Sequence, residues 1–76
     1  MIKAVITFAD KPNVNHSFRI PQSRYGPGDV LNRIYDFVMA HVGTHEAAES
    51  AMCFVDLACL DETYETDDLT IEIVEE

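Results

Sequence analysis

The sequence predicts a small α+β domain in which two helices cover one face of a three-stranded antiparallel or mixed sheet. Three observations support this class: strict alternation of apolar and polar residues near the start, an amphipathic helical pattern in the middle, and a second alternating segment near the end. The 76 residues suffice for one compact domain, spanning 1–76, and not for two. The predicted order of elements is ββααβ.

The first two strands are predicted to form a hairpin. Alternation over residues 2–9 and again over 14–20 gives each segment an apolar face, as in a half-buried strand. Val5 and Ala9 make the second face of the first segment fairly apolar too, which favours a central place in the sheet. Proline and asparagine within residues 10–13 favour a turn between the two strands.

A loop is predicted at 22–28, and a helix at 30–42 follows it. Asp29 is a residue type suited to the N-cap, and Gly43 is suited to end the helix in a left-handed conformation. The apolar face of this helix consists of Val30, Leu31, Ile34, Phe37, Val38 and His41.

A second helix is predicted at 46–60, with Thr44 as its N-cap, because apolar residues recur there at helical spacing. The run 52–60 also fits a strand that would pair with the last strand, predicted at 69–74. That alternative gives the order ββαββ, which resembles the ubiquitin-type β-grasp.

The apolar faces of these elements predict the core and the residues left outside it. The predicted core consists of Phe8, Phe18, Ile34, Phe37, Val38, Ile71 and Ile73. Apolar residues expected to stay exposed are Met39, Ala40, Phe54 and Leu57. Because exposed apolar surface invites association, we expect a homodimer.

Charge is divided unevenly along the sequence. The first 33 residues hold all five basic residues and two carboxylates, whereas the remainder holds twelve carboxylates and no Lys or Arg. The two parts carry +3 and −12 and together give the net charge of −9. Such segregation indicates a positively charged partner, with solubility as the alternative explanation.

The sequence favours the cytoplasm as the location of the protein. No apolar run approaches the roughly 20 residues of a membrane span, and the start lacks the pattern of a signal peptide. Cys53 and Cys59 are six residues apart, too far to bond to each other in a helix or a strand. We expect both to be reduced and buried thiols.

No motif in the sequence predicts a metal, a cofactor or catalysis. His41 and His45 have i, i+4 spacing, but Gly43 between them is expected to end the helix. The acidic run 61–68 lacks the central glycine of a calcium loop. The glycines of 22–28 precede a helix start where an anion could bind, but Asp29 would repel it. We therefore expect a protein that is not an enzyme.

Direct binding of nucleic acid is also not expected, because five scattered basic residues cannot neutralise a phosphate backbone beside so many carboxylates. The acidic end is instead predicted to bind a basic surface of another protein. The predicted binding residues are six carboxylates and one aromatic anchor: Asp61, Glu62, Tyr64, Glu65, Asp67, Asp68 and Glu72.

The chain is small, and its first predicted strand starts at once, from Met1 to Phe8. Its end is an acidic run without Lys or Arg, which comprises 61–68 with Glu72, Glu75 and Glu76. In these features the chain resembles the small acidic inhibitors encoded by phages, anti-CRISPR proteins among them. The resemblance implies a target in an RNA-guided surveillance complex, a CRISPR effector of the host cytoplasm, whose guide and DNA channels are basic.

Two other functions compete with this one. A β-grasp-like adaptor would bind its partner through the sheet or an edge strand. A small homodimeric structural protein would use its sheet or helix face for self-association. Binding that weakens with salt separates the acidic inhibitor from both alternatives.

Overall fold

The computed structural model describes residues 2–21 and 29–75. Within these ranges the chain forms two helices and one four-stranded antiparallel sheet, so the α+β class is confirmed and the predicted count of three strands is wrong. The elements are β1 (Ile2–Phe8), β2 (Asn15–Ile20), α1 (Val30–Val42), α2 (His45–Leu57), β3 (Thr63–Glu65) and β4 (Leu69–Glu75). The predicted loop at 22–28 lies outside the described residues, as do Met1 and Glu76.

The order ββααββ combines the two helices of the first predicted topology with the two C-terminal strands of the alternative. The strands are arranged β2-β1-β4-β3, and all neighbouring pairs are antiparallel. In this register Ala4 lies between Phe18 of β2 and Ile73 of β4. The central position predicted for the first strand is therefore confirmed.

Helix α1 begins and ends where the sequence predicts. Its buried residues Val30, Ile34 and Val38 recur at helical spacing and face the sheet. Gly43 ends the helix with a φ of 85°, in the left-handed region that glycine adopts without steric cost. Asp29 occupies the N-cap position, but its side chain makes no capping hydrogen bond.

Helix α2 is shorter than predicted. The Thr44 side chain accepts a hydrogen bond from the Ala47 amide at 3.4 Å and so caps the start as expected. Ala48 and Ala51 are fully buried, and their short side chains let α2 pack closely against its neighbours. The backbone turns extended at Ala58, so both the helix prediction for 58–60 and the strand alternative for 52–60 are wrong.

Strand β3 is the element that the sequence did not reveal. Asp61 adopts a left-handed φ of 70°, and its amide donates to the Ile73 carbonyl at 2.8 Å, which turns the chain back along β4. At the other end the Thr66 hydroxyl accepts from the amides of Asp68 and Leu69, both at 3.2 Å. These contacts form a short hairpin that begins in the acidic run 61–68, for which no strand was predicted.

The buried core lies between the helices and one face of the sheet, and its members among the described residues are all apolar. Five predicted core residues are buried: Phe8, Ile34, Val38, Ile71 and Ile73. Phe18 and Phe37 are half-buried instead. Their rings meet at 5.3 Å between centroids at the edge of the core, where α1 crosses β2.

Candidate interaction surface

The strand order turns the charge division of the sequence into a division of the surface. Helix α1 lies over β2, where Phe37 contacts Phe18, and α2 lies over β3, where Phe54 contacts Tyr64. We call residues 45–75 the acidic half and residues 2–21 with 29–42 the mixed half. The ten carboxylates of the acidic half are all exposed: Glu46, Glu49, Asp56, Asp61, Glu62, Glu65, Asp67, Asp68, Glu72 and Glu75.

The mixed half carries both signs of charge. Its basic residues within the described ranges are Lys3, Lys11, Arg19 and Arg33, and its acidic residues are Asp10, Asp29 and Asp36. The acidic half contains no Lys or Arg at any position from 45 to 75. The part of the surface formed by α2, β3 and the turns beside them therefore presents a single sign of charge, which focuses its field on a partner of the opposite sign. Glu72 and Glu75 lie on the interior strand β4, where Lys3 of β1 pairs with Val74 and is a diagonal neighbour of Glu72.

The predicted binding residues lie around the β3 edge and do not form one flat patch. Glu65 and Glu72 belong to the sheet face opposite the helices, because Glu72 pairs with Thr63, two residues before Glu65 on β3. Tyr64 faces the other way and stacks on Phe54, with ring centroids 5.2 Å apart and an interplanar angle of 26°. A partner that contacts Glu65 and Glu72 therefore approaches from the side opposite Tyr64.

The remaining predicted carboxylates lie at the two ends of β3. Asp61 and Glu62 precede the strand, while Asp67 and Asp68 lie in the turn that leads to β4. The Ala9 amide donates to the Asp68 carbonyl at 2.8 Å, which fixes this turn against the end of β1. The backbone beneath these carboxylates is thus held in place while their side chains stay exposed.

Helix α2 adds carboxylates that the predicted set omitted. Glu46 and Glu49 are exposed at i, i+3 spacing, so they lie on one helix face with their Cβ atoms about 5–6 Å apart. Asp56 is exposed near the end of the same helix. The signal for these residues is present in the sequence, because the apolar spacing of α2 leaves them on its outer face.

An apolar patch interrupts this acidic surface. Leu57, at the end of α2, keeps 80% of its surface exposed. It adjoins Cys53 and the half-buried Phe54–Tyr64 stack, and these residues line one shallow depression together with Ser50 and Glu62. We call Cys53, Phe54, Leu57 and Tyr64 the Leu57 patch. The predicted exposure of Leu57 is confirmed, and Phe54 is half-buried.

The two histidines considered for a metal bind different partners. The Tyr35 hydroxyl oxygen lies 2.6 Å from His45 Nδ1, and His45 Nε2 lies 2.6 Å from a Glu49 carboxylate oxygen. Since an ionised carboxylate only accepts, Nε2 donates to Glu49, and in the neutral ring Nδ1 accepts from the Tyr35 hydroxyl. This network joins α1 to α2. Within the described residues, no group of three or more metal-ligating side chains comes together.

His41 instead belongs to the edge of the mixed half. Its ring stacks on Phe8 at 3.7 Å between centroids, and its Nε2 donates to Asp10 at 3.0 Å. This hydrogen bond holds the pKa of the Asp10 carboxyl below its ordinary value of 3.8, because it stabilises the charged form. The contact fastens the turn after β1 to the last turn of α1.

Cys53 and Cys59 are free thiols, as the spacing predicted, but the expectation that they are buried is wrong. Cys53 lies on the outer face of α2, and Cys59 follows the helix in extended backbone. A helix that continued to residue 60 would place Cys59 on its apolar, inward face. Because α2 ends at Leu57, Cys59 lies outside the helix and is exposed.

No protein-family model, curated protein or solved structure matches the chain. Among the described residues, neither helix has the length and apolar character needed to cross a membrane. The candidate surface is therefore defined by its own geometry: exposed carboxylates along one edge, with an apolar patch among them.

Proposed function

We propose that this chain is a non-enzymatic acidic binding protein that docks on a basic, nucleic-acid-binding surface of a partner protein. The observation that carries the proposal is the segregation of charge onto one edge, where the eight exposed carboxylates of residues 45–68 occur without a Lys or Arg. A surface that serves solubility alone usually mixes the two signs, as the mixed half does.

The carboxylates suit the replacement of phosphates for a geometric reason. The Cβ atoms of helical pairs such as Glu46 and Glu49 are about 5–6 Å apart, and the Cα atoms of Glu65 and Glu72, diagonal neighbours on the sheet, are about 7–8 Å apart. Each carboxylate can therefore meet a separate Lys or Arg in a groove built for a phosphate chain. Such docking blocks nucleic acid by occupying the same cations.

The class of partner that best fits is an RNA-guided surveillance complex, and the protein then acts as an anti-CRISPR inhibitor in the host cytoplasm. The support for this step is the resemblance in size, acidity and the acidic run 61–68, together with the basic channels of such complexes. We propose no cofactor and no direct contact with nucleic acid or membrane.

Competition tests this function directly. Purified surveillance complexes are incubated with the protein before labelled target DNA is added, and DNA binding is measured by gel shift. We expect DNA binding to fall as the protein is titrated in, and addition after the target to have less effect. Full DNA binding by every complex at saturating protein would exclude this class of partner.

A second candidate is a homodimeric protein that associates through its helix face. Met39 is 36% exposed and Ala40 is exposed on α1, in the half where charges of both signs reduce repulsion between copies. Sedimentation velocity at tens of micromolar protein would show a dimer that Met39→Ser converts to monomer. A monomer at all concentrations removes this candidate.

A further inference from the structure

The Leu57 patch is an apolar area of the surface that is bordered by the carboxylates of Glu49, Asp56 and Glu62. Leu57 projects from the last turn of α2, and the Phe54–Tyr64 stack forms the floor beside it. Along α2 the depression continues into a second one lined by Glu46, Glu49, Ser50 and Cys53. The combined surface is a strip that is acidic at the start of α2 and apolar at its end.

The end of α2 adds a further negative contribution at the patch. The last carbonyls of a helix carry the negative end of its dipole, and a basic residue in the last turn commonly offsets it. The last turn of α2 has no basic residue, and Asp56 lies next to Leu57 within it. With Glu62 on the far side of the depression, the ionic neighbours among the described residues are all acidic.

These features discriminate between occupants of the patch. A second copy of the chain would bring its own acidic rim against this one, and like charges in contact oppose association. An extended peptide would need a sheet edge to pair with, and β3 offers only three residues. A helix with apolar side chains on one face and Lys or Arg beside them meets neither obstacle.

We propose that the Leu57 patch binds a cationic amphipathic helix of the partner protein. An apolar side chain of that helix covers Leu57 and the edge of the Phe54–Tyr64 stack, while its basic residues face Glu49, Asp56 and Glu62. The inference rests on the proposed function, since it names the part of a basic partner that this edge recognises. The inference adds an apolar contact to the attraction between charges, and this contact would distinguish one basic partner surface from another.

The test uses a fluorescent helix-forming peptide of Leu and Lys, about five turns long, and a scrambled peptide of the same composition. Binding to the full chain is measured by fluorescence anisotropy. We expect the amphipathic peptide to bind more tightly than the scrambled one, because only the former presents a continuous apolar face. Equal binding of the two peptides would leave charge as the sole determinant and overturn the proposal.

Variants locate the contact. Leu57→Ser removes a side chain that is 80% exposed, so the fold is kept, and circular dichroism checks this. Loss of one buried Leu contact should weaken peptide binding roughly tenfold. The matched control, Val14→Ser, removes an apolar side chain that is 45% exposed in the mixed half and should leave binding unchanged. Equal effects of the two variants, or no effect of Leu57→Ser, would overturn the proposal.

A charge variant completes the design and separates this inference from the proposed function. Glu49→Gln with Asp56→Asn should weaken peptide binding at about 0.1 M salt and have little effect near 1 M, where charges are screened. If Leu57→Ser instead abolishes self-association and spares peptide binding, the patch is a contact between copies and the proposal is wrong. Leu57→Ser keeps every carboxylate, so competition with target DNA by this variant tests the proposed function separately from the apolar contact.

Discussion

The mixed half and the acidic half of this protein are built from different contacts. In the mixed half, rings pack closely: Phe8 stacks on His41 at 3.7 Å and meets Phe37 at 5.4 Å between centroids. The acidic half contributes aliphatic residues to the core, among them Ala48, Ile71 and Ile73, and faces solvent with carboxylates that repel one another. The comparison teaches that both halves share one core and that the close ring contacts lie mainly in the mixed half, whereas the solvent-facing carboxylates of the acidic half are free to serve binding.

The largest expected effect is on stability, from truncation of aromatic rings. Phe8 is 1% exposed, so Phe8→Ala should lower the free energy of unfolding by about 3–5 kcal/mol. Phe54 of the acidic half is only half-buried, so Phe54→Ala should cost clearly less. Urea denaturation followed by circular dichroism measures both. Equal losses for the two variants would break the division between the halves.

The junction between the halves gives a smaller effect. Gly43 joins α1 to α2 with a φ of 85°, and an added Cβ would meet no atom within 4 Å. Gly43→Ala should therefore cost only the backbone strain, about 1–2 kcal/mol. Thermal unfolding measures it, and Asn, which tolerates the left-handed region better, should cost less at the same position. A loss of unfolding free energy as large as that of Phe8→Ala would contradict the assignment of the cost to backbone strain at Gly43 alone.

The smallest effect concerns the contact between Asp10 and His41 in the mixed half. His41 holds the pKa of Asp10 below 3.8, so the folded state binds a proton there less readily than the unfolded state. The contact therefore stabilises the fold above pH 3.8, and this contribution is lost as the pH falls through the lowered pKa. Asp10→Asn should be less stable than the parent near neutral pH and equal to it in strong acid. A stability difference that persists unchanged into acid would contradict the assignment.

The fold was predictable where periodicity was long and unbroken. Alternation around Ile6 and the helical spacing of Ile34 and Val38 each identified an element, and Gly43 marked a boundary. The end of α2 was missed because apolar residues continue past Leu57 after the backbone has left the helix. Strand β3 was missed because three residues among carboxylates carry no readable period.

The candidate site was predictable in composition and not in arrangement. Exposure of the carboxylates follows from their charge alone. That Tyr64 faces α2 while Glu65 faces the opposite side follows from the pairing of β3 with β4, which depends on contacts distant in sequence. The Leu57 patch likewise needs the approach of β3 to α2, since Phe54 and Tyr64 are ten residues apart.

The most direct test of the central claim replaces carboxylates in pairs without changing their shape. Asp61→Asn with Glu62→Gln, Glu65→Gln with Glu72→Gln, and Asp67→Asn with Asp68→Asn are compared with a matched pair in the mixed half, Asp29→Asn with Asp36→Asn. Affinity for a captured surveillance complex is measured at about 0.1 M and about 1 M salt. A carboxylate desolvated against an Arg should cost about 2–5 kcal/mol when neutralised. We predict that at least one acidic-half pair weakens binding at low salt and that the mixed-half pair does not. The claim would be contradicted if all four pair variants bound equally well and if the affinity were the same at both salt concentrations.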